Sequence, residues 1–198
     1  LKLFLETTDP AEVRVSAERK LAEGVSTSLS VGGPALPEIC ALAPGPVTAG
    51  VESADRDGIV QEARALARLG SHVIVRIPLS VDGLKAVTAC AAEGIPTHVT
   101  QCDSPVQAVL AAKAGARYVS PVAGRASDGA ADRTELVRNI VAIYRTYGLP
   151  TEVMVASVRS PSNVVDVALA GAAVAAVPLS VLEQVAAGRA APESGARK

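Results

Sequence analysis

Eight successive units, each a short apolar run followed by an amphipathic stretch, predict an α/β chain of the (β/α)8 TIM-barrel class folded as a single domain. Two local signals agree. A capping residue precedes proline at Asp9-Pro10, Ser104-Pro105 and Ser160-Pro161, the chemistry of a helix start. Gly94, Gly115, Gly148 and Gly171 stand where a helix must stop before the next strand. At 198 residues the loops of such a barrel must be tight, and the competing architecture is a flavodoxin-like open sheet with one strand misread.

The first unit puts a strand at 2–6 and a helix at 10–22. The second has a strand at 24–27 and a short helix at 35–42; the third has a strand at 46–51 and a helix at 56–69, whose Ile59, Ala63, Leu66 and Leu69 recur on one face. The fourth strand, 72–77, carries Val73-Ile74-Val75-Arg76-Ile77-Pro78, an apolar run of the kind parallel sheets bury on both faces, interrupted near its C-terminal end by Arg76. Its helix is at 81–92. The remaining strands fall at 96–100, 117–121, 152–157 and 174–178, with helices at 104–114, 133–147, 161–170 and 179–187. A domain over 1–188 is therefore expected, with 189–198, rich in small and polar residues, as a disordered tail.

Composition narrows the partners. The net charge of −1 and an aromatic content of 2% give neither the basic surface nor the stacking rings of a nucleic-acid binder. Cys40, Cys90 and Cys102 have no disulfide or metal-knuckle spacing, so a reducing cytoplasm is expected, with no metal and no cofactor. No apolar stretch reaches membrane-spanning length without Gly, Pro or charge, and no membrane association is expected.

In a (β/α)8 barrel, ligands meet the C-terminal ends of the strands. Ser157-Val158-Arg159-Ser160-Pro161 gathers hydroxyls, a guanidinium and a helix N-terminus there, and Ser120 and Arg125 follow the neighbouring strand, which together make a phosphate cradle. The plainer alternative has Ser160 only capping its helix and the arginines pairing with surface acids. On the fifth strand, His98-Val99-Thr100-Gln101-Cys102-Asp103 is unusually polar, and strict alternation sends His98, Thr100 and Cys102 inward together. Asp103 is read either as an acid/base or as the cap of the next helix, the cap being preferred. Cys102 is read as an inert small residue and His98 as a hydrogen-bonded core residue or, less simply, a base.

Several blocks resemble one family: Leu3-Phe4-Leu5-Glu6-Thr7, Gly24-Val25-Ser26-Thr27, Gly45-Pro46-Val47, the fourth-strand run with Gly83-Leu84-Lys85-Ala86, Ala111-Ala112-Lys113-Ala114-Gly115-Ala116, Tyr118-Val119-Ser120-Pro121, Gly124-Arg125 and Val155-Ala156-Ser157-Val158-Arg159. Over nearly the whole chain they are similar to the small transaldolases and fructose-6-phosphate aldolases. The resemblance implies a ketose substrate held as a Schiff base on a fourth-strand lysine, an aspartate on the first strand for proton transfer, and a Glu or Gln with a Thr positioning a water. At those positions this sequence has Arg76, Glu6 and Gly50, with Thr100 retained; Ser28 stands for an asparagine and Val122 for an aromatic. The family's phosphate positions match Arg125, Ser157 and Arg159, with Ser120 beside them.

An arginine cannot form an imine, and Lys2, Lys20, Lys85, Lys113 and Lys198 all fall away from the expected site. Schiff-base chemistry is thus expected to be absent and anion capture retained. Arg76 and Glu6 are expected to pair, either as a plug or with Arg76 clamping a second anionic group of the ligand. Two functions fit: a non-covalent acid/base enzyme on a phosphorylated, sugar-like substrate, using Glu6, Asp103 or His98, or a non-catalytic sensor or scaffold. The resemblance also implies a C-terminal helix that ties protomers into a pentamer or decamer. It is shortened or missing here, so a weaker or altered homo-oligomer is expected.

Overall fold

The computed structural model describes residues 1–121 and 130–188, with the backbone alone for 130–133. Its strands are β1 (Lys2–Glu6), β2 (Gly24–Ser30), β3 (Val47–Gly50), β4 (Val73–Pro78), β5 (Thr97–Cys102), β6 (Tyr118–Pro121), β7 (Glu152–Val155) and β8 (Val174–Val177). All pair in parallel in chain order, and β8 returns to β1, closing the barrel and excluding the open sheet. The helices are α1 (Pro10–Glu18), α2 (Leu36–Leu42), α3 (Arg56–Ala67), α4 (Val81–Ala92), α5 (Pro105–Lys113), α6 (Ala130–Thr146), α7 (Pro161–Leu169) and α8 (Leu179–Ala186). Val122, Arg125 and the expected tail over 189–198 lie outside the described residues.

The period-two alternation of the strands divides the apolar residues between two cores. Phe4, Ile74, Tyr118, Met154, Val174 and Ala176 point inward and fill the barrel. Their strand neighbours, among them Leu5, Val25, Val47, Val75, Ile77, Val99, Val119 and Val177, face the helices in a larger annular core. Helix α3 shows how the annulus forms: Ile59, Ala63 and Leu66 are buried against the sheet, while Leu69, beyond the last turn, is 39% exposed.

The caps act as their chemistry requires. Ser104 accepts from the Gln107 amide, Ser160 from the Asn163 amide and Asp9 from the Ala11 amide, each satisfying a helix N–H that has no intrahelical partner. Gly94, Gly115, Gly148 and Gly171 take φ values of +73°, +96°, +62° and +89°, the left-handed geometry that ends a helix. Helix α1 stops at Glu18 instead of reaching residue 22, because Lys20 enters the left-handed region at φ +54° and the Leu21 amide turns back to Ser16 O. Among the described residues no helix is long and apolar enough to cross a membrane.

Candidate functional site

A cavity of about 580 Å³ opens at the C-terminal ends of the strands. Glu6, Ser28, Arg76 and Thr100 are among its walls, as are His98, Ser120 and Arg159. The rim beside β2 and β3 is tied down by its own polar groups: Ser30 donates to Glu52 at 2.6 Å, and Glu62 accepts from the Ser53 hydroxyl at 2.5 Å and the Glu52 amide at 2.7 Å.

Arg76 rises from β4 and reaches over β3 to β2. Its Nη1 donates to Thr27 O at 2.5 Å and its Nη2 to Ser28 O at 3.1 Å. Those carbonyls are available because β2 is irregular there: β2 runs from Ser26 to Ser30 while β3 advances only from Thr48 to Gly50. The guanidinium also needs the space above Gly50, where a Cβ would lie 2.9 Å from Nη2. Burial pulls the Arg76 pKa down, yet a guanidinium stays charged at any ordinary pH. The expected Arg76–Glu6 pair does not form. Two strands separate β1 from β4, and the β2 carbonyls take the guanidinium first.

Glu6 turns the other way. Its Oε2 lies 3.6 Å from Nη1 of Arg159, across β8, and has no hydrogen-bond partner among the described residues. Arg159 is 63% exposed, so it can swing toward a ligand at the mouth. Ser157 lies just before it in a left-handed conformation, φ +58°, half-buried and not part of the cavity wall. Ser160 does cap α7, as its position suggests.

His98 is 2% exposed and forms part of the cavity wall. Its Nε2 lies 2.7 Å from Ser120 Oγ, and Ser120 spends its single hydroxyl proton on Met154 O at 2.8 Å. Nε2 must therefore carry the ring proton, leaving Nδ1 as a bare acceptor, and no partner meets it. Burial first, then the positive charge of Arg76, pushes the His98 pKa down to about 3. The ring is neutral and a feeble base.

Sequence alternation misplaces Cys102. Gln101 takes φ +62°, and the β5–β6 register slips between Val99 and Cys102, so a bulge spends an extra residue. Gln101 enters the cavity wall, and Cys102 turns outward to join Val99 and Tyr144 in the annular core. Burial, followed by the charge of Asp103, raises its thiol to about 12, out of reach of nucleophilic chemistry. Asp103 itself is exposed, is not part of the cavity wall, and offers its backbone amide to Gln107 at 2.6 Å; Ser104, not Asp103, caps α5. Among the described residues no lysine lines the cavity: Lys2 pairs with Glu152 at the opposite end of the barrel, and Lys85 with Asp82 on α4.

A closed (β/α)8 barrel with a polar cavity at its C-terminal mouth puts the chain in the TIM-barrel class, whose ligand sites lie at that mouth. Within that class, residues 13–196 match the transaldolase/fructose-6-phosphate aldolase family, and the chain belongs to it. It is 45% identical over 193 residues to a probable transaldolase of Anaeromyxobacter sp. (strain K), covering 94% of this chain and 89% of that protein. Probable transaldolases of Sorangium cellulosum and Aquifex aeolicus are each 43% identical over 192 residues, covering 93% of this chain and 89% and 88% of theirs.

Proposed function

We propose that this chain binds a phosphorylated sugar or sugar-like anion at the barrel mouth without forming a Schiff base. The single observation that carries this reading is the state of Arg76: at the position where the resemblance expects the imine lysine, a guanidinium is bound to two backbone carbonyls. Arg159 supplies the anion end beside the N-terminus of α7, and the family resemblance, not the geometry, adds Ser157 and Arg125 as phosphate positions. Among the described residues Glu6 is the carboxylate of the cavity wall, so proton transfer falls to it. A base there takes the proton from the carbon beside a ligand carbonyl, and the C–H electron pair moves into the carbonyl as an enolate.

The test has two parts. Incubation with fructose 6-phosphate or dihydroxyacetone and borohydride leaves the intact mass unchanged; a reduced adduct overturns the reading. Exchange of the α-hydrogen of a bound ketose phosphate in deuterated water is expected, and is lost in Glu6→Gln.

The second reading, a non-catalytic sensor or scaffold, is favoured by one feature. His98 is too weak a base to share the work, while Asp103 and Cys102 lie outside the cavity wall. Among the described residues, Glu6 is left without a second proton carrier in the cavity wall. Tight binding of the same ligand with no exchange in the unaltered chain selects this reading.

A further inference from the structure

We infer that Arg76 is the electrophilic catalytic residue of the cavity: its guanidinium receives the ligand's carbonyl oxygen and holds the negative charge that gathers there when Glu6 removes the neighbouring proton. This rests on the proposal that Glu6 enolises a ketose phosphate anchored at Arg159.

Arg76 is a charge without a counter-charge. Its guanidinium is half-buried in the cavity wall, and its bonds go to two neutral carbonyls, with no carboxylate beside it among the described residues. A desolvated cation held only by neutral dipoles is costly until an anion joins it. Donors remain for that anion. Each terminal nitrogen spends one proton on β2, so a second N–H on each, and that of Nε, are left over. The bond from Nη2 to Ser28 O is itself exposed, so the charged end of the side chain is open to a ligand. The two carbonyls and the space over Gly50 also hold the guanidinium in place beforehand, which is what stabilisation of a developing charge requires.

The anion that suits this place is one that appears only during reaction. Among the described wall residues, the fixed charges are Arg76 and Arg159 against Glu6. A phosphate at Arg159 already brings negative charge, and a ligand with a standing carboxylate as well would be repelled by Glu6. An enolate adds no charge. The C–H bond breaks, its proton goes to a Glu6 oxygen, its electron pair forms the C=C bond, and the carbonyl π pair moves onto oxygen. One negative charge leaves Glu6 on β1 as one appears beside Arg76 on β4, and the total is unchanged. The neighbouring wall groups are poorer partners for it. His98 is held neutral by burial and then by the charge of Arg76, while Thr27, Ser28 and Thr100 have uncharged side chains. The competing role for Arg76 is a staple that only ties β4 to β2.

Two probes separate these roles. 5-Phosphoarabinonohydroxamate mimics the enediolate of fructose 6-phosphate, and arabitol 5-phosphate keeps the chain and phosphate with hydroxyls alone. By calorimetry the unaltered chain is expected to bind the hydroxamate about a hundredfold more tightly or better. Arg76→Met should erase most of that preference while binding arabitol 5-phosphate within about twofold of the unaltered chain, because a phosphate at Arg159 does not call on Arg76. Deuterium exchange beside the carbonyl of fructose 6-phosphate should fall about a hundredfold or more in the same variant. A preference or an exchange rate that survives in Arg76→Met overturns the inference, as does an equal loss of both probes, which is the mark of a staple. Further outcomes keep it distinct from the underlying reading. If inorganic phosphate binds through Arg159, and exchange is lost in Glu6→Gln yet kept in Arg76→Met, only the role of Arg76 falls. Binding of fructose 6-phosphate without exchange in the unaltered chain defeats the inference and leaves anion binding standing; if neither phosphate nor fructose 6-phosphate binds, both fall. Should Arg76→Met not fold, a crystal structure of the unaltered chain with the hydroxamate decides: a hydroxamate oxygen within hydrogen-bond distance of an Arg76 nitrogen supports the inference, and any other placement defeats it.

Discussion

Gly50 and Arg76 occupy one volume: a methyl group on the Gly50 Cα would stand 2.9 Å from Nη2 of Arg76, the nitrogen that bonds Ser28 O. Gly50→Ala is therefore expected to destabilise the fold by about 1 kcal/mol, since the guanidinium must shift and weaken its bond to the exposed Ser28 carbonyl. In an Arg76→Met background the same change should cost less than about 0.5 kcal/mol. A double-mutant cycle by urea denaturation measures the coupling; independent, additive effects would show that the two residues do not interact as described.

His98 sets an acid limit. Its folded pKa, about 3, lies below the ordinary 6.5, so between those values the unfolded chain binds a proton that the folded chain refuses. The sign follows: stability present above pH 6.5 is lost as the pH falls toward 3, by up to about 1.4 kcal/mol per unit from this group alone. His98→Gln should flatten the slope of unfolding free energy against pH by about one proton over that window. Parallel slopes for the two proteins would place the proton uptake elsewhere.

Arg159 is shared. The Glu6 carboxylate lies 3.6 Å from it and must be outcompeted by any anion arriving at the mouth. Because Arg159 is largely solvated, the competition is mild, and Glu6→Gln is expected to tighten sulfate binding about two- to fivefold, an advantage that fades as chloride is raised. Weaker sulfate binding in Glu6→Gln would reverse the sense of this interaction.

The thiols should be silent in the native state. Cys40, Cys90 and Cys102 are all buried, and burial raises each pKa, that of Cys102 to about 12. Titration with a chromogenic disulfide at mild alkaline pH should register them only after denaturant is added. A fast native-state reaction at any of the three would contradict the packing at that site.

The architecture was legible because it is written in local chemistry: proline behind a cap, glycine at a helix end, and apolar runs at strand length. The site was legible only where strands stay regular. Glu6, Arg76 and His98 reach the cavity as alternation demands, but Cys102 does not, because the bulge at Gln101 uses a non-glycine residue in the left-handed region and leaves no mark in the sequence. The partner of Arg76 was missed for a similar reason. Charge complementarity pointed to Glu6, whereas the irregular stretch of β2 turns the neutral carbonyls of Thr27 and Ser28 toward the guanidinium. Main-chain acceptors of this kind have no residue-type signature, so no reading of side chains alone could find them.

The barrel-filling cluster of Phe4, Ile74, Tyr118, Met154, Val174 and Ala176 has a consequence for traffic. With the lumen stoppered below the cavity, the mouth is a cul-de-sac: a molecule must back out through the doorway it came in by, and the next cannot enter until the first has gone.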